Sequence, residues 1–498
     1  MRDVILSIDQ GTTGSTALFL DGTPNCKVQV LAIHNVEFPN YYPQPGHVEH
    51  DVADIWVSVE QAIRNAQEKL EANIGAFRII AIGITNQRET SLFWDKITGQ
   101  PIHRALVWQD RRTTERCQEL KNLGLESMVR QKTGLVLDPY FSGTKAEWLL
   151  KNIADADVKA QNGDILFGTI DTWLTWKLCG AHVTDPSNAS RTLLFNIHTM
   201  DWDDELLQML SVPRSCLPTL VDNSQIIGYT SGVGFLPDGI PVAGLAGDQQ
   251  SALFGQACFN AGSAKCTYGT GAFVLMNTGT KPIPSNNSLL TTVGWKLNGN
   301  TTYALEGSAF IAGAAVQWLR DGLEIIETAN ETEELAQSVP DSGGTYFVPA
   351  FAGLGTPHWE PTARGVFWGI TGGTTKKHLV RAVLEGVSMQ IVDILESMAQ
   401  DAGQPLIELR VDGGMSRNNF MMQLQSNLLD VSCTRPTVLE TTALGAGFLA
   451  GLAVDVWSST QAISDAWQVD RQFTPQLSQE EREAYKNTWT IAVQKALP

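Results

Sequence analysis

Ile8-Asp9-Gln10-Gly11-Thr12-Thr13-Gly14-Ser15-Thr16-Ala17-Leu18-Phe19-Leu20 reads as a strand, a Gly/Thr turn and a second strand. The same plan returns far downstream in Ala264-Lys265-Cys266-Thr267-Tyr268-Gly269-Thr270-Gly271-Ala272-Phe273-Val274-Leu275-Met276. Two hairpins with small-residue tips predict two similar halves, dividing near residues 250–262. Two unrelated Gly/Thr turns would give the same local match. Tight Gly/Thr turns uncover backbone N–H groups and add hydroxyls, which suits phosphate oxygens, and an ordinary hairpin turn is the alternative reading. No Gly-Lys-Ser/Thr follows, so the first tip is not a Walker-type loop. Asp9 ends an apolar strand, where a carboxylate can hold Mg²⁺ through water.

Outside the hairpins, strand and helix patterns alternate, which predicts α/β layers around largely buried sheets. Val28–Val36 and Ile79–Thr85 read as strands, and Asp51 opens a helix with Ile55, Val59, Ile63, Ala66 and Leu70 on one face. Further helices are expected at Ser142–Ile153, Ala309–Leu323, Lys376–Ala402 and Thr442–Ala453. The division expected is a first domain over 1–253, a second over 262–453 and a helical tail over 454–498.

With 498 residues and 43% hydrophobic side chains, the chain is long enough to bury more than one core. The net charge of −18 sets it against nucleic acid and anionic membranes and favours a small-molecule substrate. Nucleotide phosphates remain compatible, since local backbone N–H groups and Mg²⁺ can meet them. Seven cysteines without a Cys-x-x-Cys pair read as reduced thiols of a cytoplasmic protein. The longest apolar run, Leu444 to Val454, holds three glycines and is too short to span a bilayer.

Several short runs carry polar chemistry. Thr85-Asn86-Gln87-Arg88-Glu89-Thr90 joins two strands, and its charges can meet one ligand only at a loop or bulge; two solvated loop charges are the alternative. Ala246-Gly247-Asp248-Gln249-Gln250 follows an apolar strand, and Asp248 reads as a helix cap or as a general base, local sequence leaning to the cap. Trp108 stands beside polar groups in Val107–Arg112, and Tyr140 in an X-Pro turn before a helix. Val411-Asp412-Gly413-Gly414-Met415-Ser416-Arg417-Asn418-Asn419 runs from a strand through paired glycines into a helix bearing Phe420, Leu424 and Leu428. It reads as an adenine or ribose seat, or as a plain strand-to-helix turn.

Together these segments resemble the FGGY carbohydrate-kinase family from Ile8 to about Ala453. Tyr140–Asn152, with Ser142, Lys145 and Trp148, matches one long family motif, and Gly365–Ile370 through His378-Leu379 to Ala382–Glu385 matches a second. The resemblance implies two ribonuclease-H-like halves in an actin/hexokinase-like fold, ATP in the cleft between them, and phosphorylation of a small polyol. Asn86–Glu89, Trp108–Arg112, Asp138–Ser142 and Gly247–Gln250 are most similar to members acting on glycerol. It implies that Arg88, Glu89, Tyr140, Asp248 and Gln249 bond the glycerol hydroxyls, that Trp108 and Phe273 pack on its carbons, and that Asp248 is the base. For ATP it implies Thr12, Thr13, Gly14, Thr270, Gly313, Gln317, Gly414 and Asn418, and a homo-oligomer, dimer or tetramer, is the expected assembly. A family kinase for a pentulose or sugar acid, and an actin-like ATPase without an acceptor, are the rival readings.

Two departures stand out. Gly14-Ser15-Thr16 lacks the arginine that members commonly carry after the paired threonines. Some bacterial members place a Gly-x-Arg loop, used in feedback by a sugar bisphosphate, or a phosphorylatable histidine before the Gly-Asp-Gln-Gln run. Gly232-Val233-Gly234-Phe235-Leu236 offers neither. A bisphosphate needs cationic partners, so fructose 1,6-bisphosphate at physiological concentration is expected to leave the rate unchanged. Strong inhibition abolished by changing residues 232–236 would contradict this reading.

Overall fold

The computed structural model describes residues 1–498. Strands β1 (Arg2–Gln10) and β2 (Gly14–Asp21) form the first hairpin, with Asp9 opposite Thr16, and β3 (Val30–Glu37) extends it antiparallel. Helix α1 (Val52–Ile74) starts at Asp51, whose side chain accepts from the Ala53 amide. Strand β4 (Phe77–Asn86) then returns parallel to β1. After a long insertion, β5 (Ser224–Tyr229) and β6 (Pro241–Gly247) complete a six-stranded sheet of order β5-β6-β4-β1-β2-β3. Helix α2 (Asp248–Gly255) leads out of β6.

The second half opens on the hairpin β7 (Ser263–Tyr268) and β8 (Ala272–Gly279), followed by β9 (Leu290–Leu297) and β10 (Asn300–Ala309). Helix α3 (Lys376–Ala402), β11 (Glu408–Asp412), α4 (Asn419–Leu429), β12 (Cys433–Pro436), α5 (Thr441–Ala453) and β13 (Val469–Phe473) follow. The seven-stranded sheet has order β9-β10-β8-β7-β11-β12-β13. Setting β9 aside, each sheet is an antiparallel meander joined to two parallel strands and an antiparallel edge. The hairpin echo is thus the start of a repeated ribonuclease-H-like unit, and the pair forms an actin/hexokinase-like fold.

Alternation along β1 explains why its sheet is covered on both faces. Val4, Leu6 and Ile8 pack with Ile55, Val59 and Ile63 of α1 on one side. Ile5 points the other way, into a cluster with Phe448 and Leu449 of α5. Although α5 comes late in the chain, it lies on the first sheet and against α2. Small residues allow that approach. A Cβ at Gly83 on β4 would sit 2.1 Å from the Ala446 carbonyl oxygen, and one at Gly445 would sit 1.9 Å from that of Ser251.

Two expectations change. The 454–498 segment is not wholly helical: besides Thr460–Ala466 and Gln479–Ala496 it supplies β13, antiparallel to β12. Four of the five β13 residues are exposed, so this edge strand lacks the apolar alternation that marks a half-buried one. Over Ala309–Leu323 the strand persists through Ala309, and only Gly313–Gln317 is α-helical before a wider π-type turn at Trp318–Gly322.

Gly445→Ala is expected to destabilise the protein by about 1–3 kcal/mol, because overpacking at a backbone contact outweighs the gain in helix propensity. Gly372→Ala, where a Cβ would meet nothing within 4 Å, is the control. Equal denaturation midpoints for the two variants would show that α5 has room to move.

Candidate functional site

The loop after β4 turns on Glu89, whose φ of +60° places it in the left-handed region. That turn brings Arg88 and Glu89 to one side, the bulge their adjacency demanded. The Arg88 guanidinium is sealed inside. Its Nη1 and Nη2 donate to Glu306 Oε2 and Oε1 at 2.6 and 2.9 Å, and Nη1 also to Gln250 Oε1 at 3.2 Å. Its Nε lies 3.1 Å from Asp248 Oδ1 and 3.8 Å from Glu89 Oε1. Arg191 completes the cluster, 2.7 Å from Glu89 Oε1 and 3.1 Å from Glu306 Oε1.

Two guanidinium groups therefore face three carboxylates. Burial pushes the Glu306 carboxyl up, but Arg191 and Arg88 outweigh it and bring it down to about 2. Burial wins at Glu89, whose carboxyl is raised although both arginines oppose this. The side chains of Arg88, Glu89 and Glu306 are 2%, 1% and 4% exposed, whereas Asp248 is 30% exposed. Asp248 is thus the carboxylate of this cluster that reaches solvent. It is the first residue of α2, after the N-cap Gly247, and its Oδ1 accepts from the Gln249 amide at 2.6 Å, so it serves the helix start from the N1 position and not as the N-cap.

Tyr140 and Trp108 stand alongside, with ring centroids 5.6 Å apart at 85°. Burial and the charge of Glu89 raise the Tyr140 phenol, so it stays protonated at neutral pH. The long motif that begins at Tyr140 supports this turn. Lys145 Nζ donates to the Tyr140 carbonyl at 2.6 Å, Ser142 Oγ to the Glu89 carbonyl at 3.0 Å, and Trp148 stacks against Arg112 at 4.5 Å. Gln249 Oε1 accepts from the buried Lys265 Nζ at 2.5 Å, which leaves the amide N–H₂ as its free end. Phe273, half-buried on β8 opposite Thr267 and Ser308, has no ring–ring contact with Trp108 or Tyr140.

A separate cavity of about 780 Å³ lies in the second half. Thr270, Gly313, Gln317, Gly414 and Asn418 all line it. Gly413, at φ +82°, lets the chain pass where a Cβ would meet the Tyr268 carbonyl at 2.4 Å. Asn418 caps α4 by accepting from Met421 N and also donates to Thr332 Oγ1 at 3.1 Å. Thr12, Thr13 and Gly14 lie outside the lining, on the hairpin tip of the other half. Thr12 Oγ1 accepts from Trp108 Nε1 at 2.8 Å and so faces the Arg88 side. Arg417 and Arg435 also line the cavity, and only Arg417 fell within a run read as functional.

Asp9 is the penultimate residue of β1, and burial together with the Asp248 charge raises its carboxyl to about 7. Two hard oxygen donors that repel each other suit a divalent cation that keeps most of its waters. No group of three His, Cys, Asp or Glu side chains is arranged as a closed metal site. Thr16 sits opposite Asp9 and accepts from Asn35 Nδ2 at 2.9 Å, so this face carries no cation at residue 16.

Glu306 and Arg191 had escaped the sequence reading. Glu306 follows the apolar run Tyr303–Leu305 of β10, and Arg191 lies in a loop without motif character. A lone charge directly after three apolar residues of a strand was the one available signal.

A repeated ribonuclease-H-like unit, a sealed polar seat at the first sheet's end and a nucleotide-sized cavity in the second half define a two-lobed kinase of the actin-like class. The chain belongs to the FGGY family of carbohydrate kinases: the model of the family's N-terminal domain matches residues 4–255 and that of its C-terminal domain residues 264–454. It is 54% identical over 495 residues to "Glycerol kinase 2" of Thermotoga maritima, covering 99% of this chain and 98% of that one. It is 53% identical to "Glycerol kinase" of Myxococcus xanthus over 99% of both chains. Among solved structures it is similar to Plasmodium falciparum glycerol kinase with ADP, at a TM-score of 0.94 and 36% identity over 100% of this chain and 99% of that one. A gluconate kinase from Lactobacillus acidophilus, 23% identical with a TM-score of 0.87 over 99% and 97%, shares the fold.

His50 ties this region together. Its Nε2–H donates to Asn40 Oδ1 at 2.5 Å and its Nδ1 accepts from Gln87, which also donates to Gln10. Burial lowers its pKa to about 4, so the native state refuses a proton that the unfolded chain accepts below pH 6.5. Stability is therefore lost as pH falls from about 6.5 to 4, by on the order of 3 kcal/mol from this group. Asp9 and Asp171, both raised to about 7, act in the opposite sense, and both are retained when His50 alone is changed. The unfolding free energy of the parent should fall more steeply over this interval than that of His50→Gln. Coincident slopes would mean that His50 is protonated in the folded protein.

Proposed function

We propose that this chain transfers the γ-phosphoryl group of Mg·ATP to a terminal hydroxyl of glycerol, giving sn-glycerol 3-phosphate and ADP. The reading is carried by Asp248, the one carboxylate of the sealed cluster that reaches solvent, and it agrees with the names of full-length relatives above 50% identity. Glycerol offers little apolar area, so its recognition rests on paired donors and acceptors in a closed site. A seat built for hydroxyls rejects analogues lacking them by ~10⁴ or more. Arg88, the Tyr140 phenol and the free amide end of Gln249 supply donors, Glu89 and Asp248 supply acceptors, and Trp108 and Phe273 bound the carbon chain.

The acceptor oxygen attacks the γ-phosphorus as the bond to the β,γ-bridging oxygen breaks. ADP leaves with that bond's electron pair, and the hydroxyl proton passes to Asp248. Thr270, Gly313, Gln317, Gly414 and Asn418 seat the nucleoside end, and the tip Thr12–Gly14 meets the phosphates where they cross between the halves. Bound Mg²⁺ would neutralise phosphate charge, and Asp9 is the residue to hold it, through water. The unpaired thiols of all seven cysteines favour a cytoplasmic setting, the place of glycerol catabolism.

Asp248→Asn keeps the shape but cannot take the proton, so kcat with glycerol is expected to fall by about 10²–10⁴ while ATP still binds and the protein melts like its parent. A variant within about tenfold of the parent would remove Asp248 from the base role.

A further inference from the structure

Arg88 has five N–H donors to place. Glu306 takes one from Nη1 and one from Nη2, Gln250 takes the second from Nη1, and Asp248 faces Nε. One N–H remains, on Nη2, and its direction is set by the plane that the two Glu306 oxygens impose. We propose that Glu306 is a positioning residue for the acceptor seat, aiming the spare Nη2–H of Arg88 at an acceptor hydroxyl and keeping the guanidinium from collapsing onto Asp248.

Glu306 belongs to β10 of the second sheet, whereas Arg88, Arg191 and Glu89 all belong to the first half. The same strand runs through Ala309 to the Gly313–Gln317 helix on the nucleotide cavity. The half that seats the nucleotide therefore also orients the acceptor's arginine. Leu275 and Leu290, both buried, stand opposite Glu306 in the sheet, so its own strand partners offer the guanidinium no replacement side chain. Take Glu306 away, and Asp248, Glu89 and Gln250 are the groups left to claim the guanidinium.

The inference rests on the glycerol reading, and the test separates the two. In Glu306→Gln one oxygen becomes an N–H₂ that faces a cation, so the fork loses half its hold. KM for glycerol is expected to rise about 10–100-fold, with kcat and the KM for ATP changing far less. In an Arg88→Ala background the same change should add nothing to KM, because Glu306 acts through Arg88. Glu306→Asp keeps the charge but is one methylene short, so it should fold as the parent does and give an intermediate KM. A folded Glu306→Gln, or Glu306→Asp should the amide fail to fold, with the parent's KM overturns the inference. So do KM effects that multiply in the double variant. A parent releasing no ADP with glycerol would overturn the glycerol reading and this inference with it; a glycerol-active parent confines any failure to Glu306.

Discussion

Arg88 is a cation with almost no contact with water, and the arrangement around it follows from that constraint. Removing a guanidinium from water costs several kcal/mol, recovered only where carboxylates meet it with good geometry. Glu306 supplies that geometry from the second half, Asp248 from the start of α2, and Glu89 from the turn that Arg88 itself enters. Arg191 then balances Glu89 and Glu306. No member of this group can be removed without stranding another. The charged cluster, and the acceptor seat proposed on it, is consequently a joint product of both halves.

The repeated sheet explains why these groups converge. In the first sheet β1, β4 and β6 run parallel, so their C-terminal ends meet at one edge. Asp9 lies one residue before the end of β1, the Arg88 turn follows β4, and Asp248 follows β6, three neighbouring strands of one sheet. Helix α5 fastens the late part of the chain to that sheet through contacts that only glycines allow. The cavity proposed to seat the nucleotide, by contrast, is lined entirely by residues from the second hairpin onward.

Much of this was legible in the chain. The paired hairpins announced the repeat because a tight turn between apolar strands is a local pattern. Helix α1 was legible because its buried face keeps one period over the whole element. Arg88, Glu89, Tyr140, Trp108 and Asp248 stood in recognisable runs, and the structure assembles them. Glu306 was not legible, because its value depends on a partner 218 residues away and its strand neighbours are ordinary core residues. The edge strand β13 was missed for a related reason: its pairing comes from backbone bonds to β12, while its side chains are exposed. The tail of the Thr12–Gly14 expectation lies in the same gap, since no local pattern says how far a hairpin tip stands from a cavity built by the other half.

The account makes the acceptor the partner that Arg88, Glu89, Tyr140 and Asp248 are built for, with ATP hydrolysis a side path. ADP release from Mg·ATP, followed in parallel with glycerol, dihydroxyacetone, xylulose and no acceptor, tests this most directly. The account predicts rapid ADP release with glycerol, matched mole for mole by glycerol phosphate, and little with xylulose or without an acceptor. ADP release at the same rate in all four, or fastest with xylulose, would contradict it.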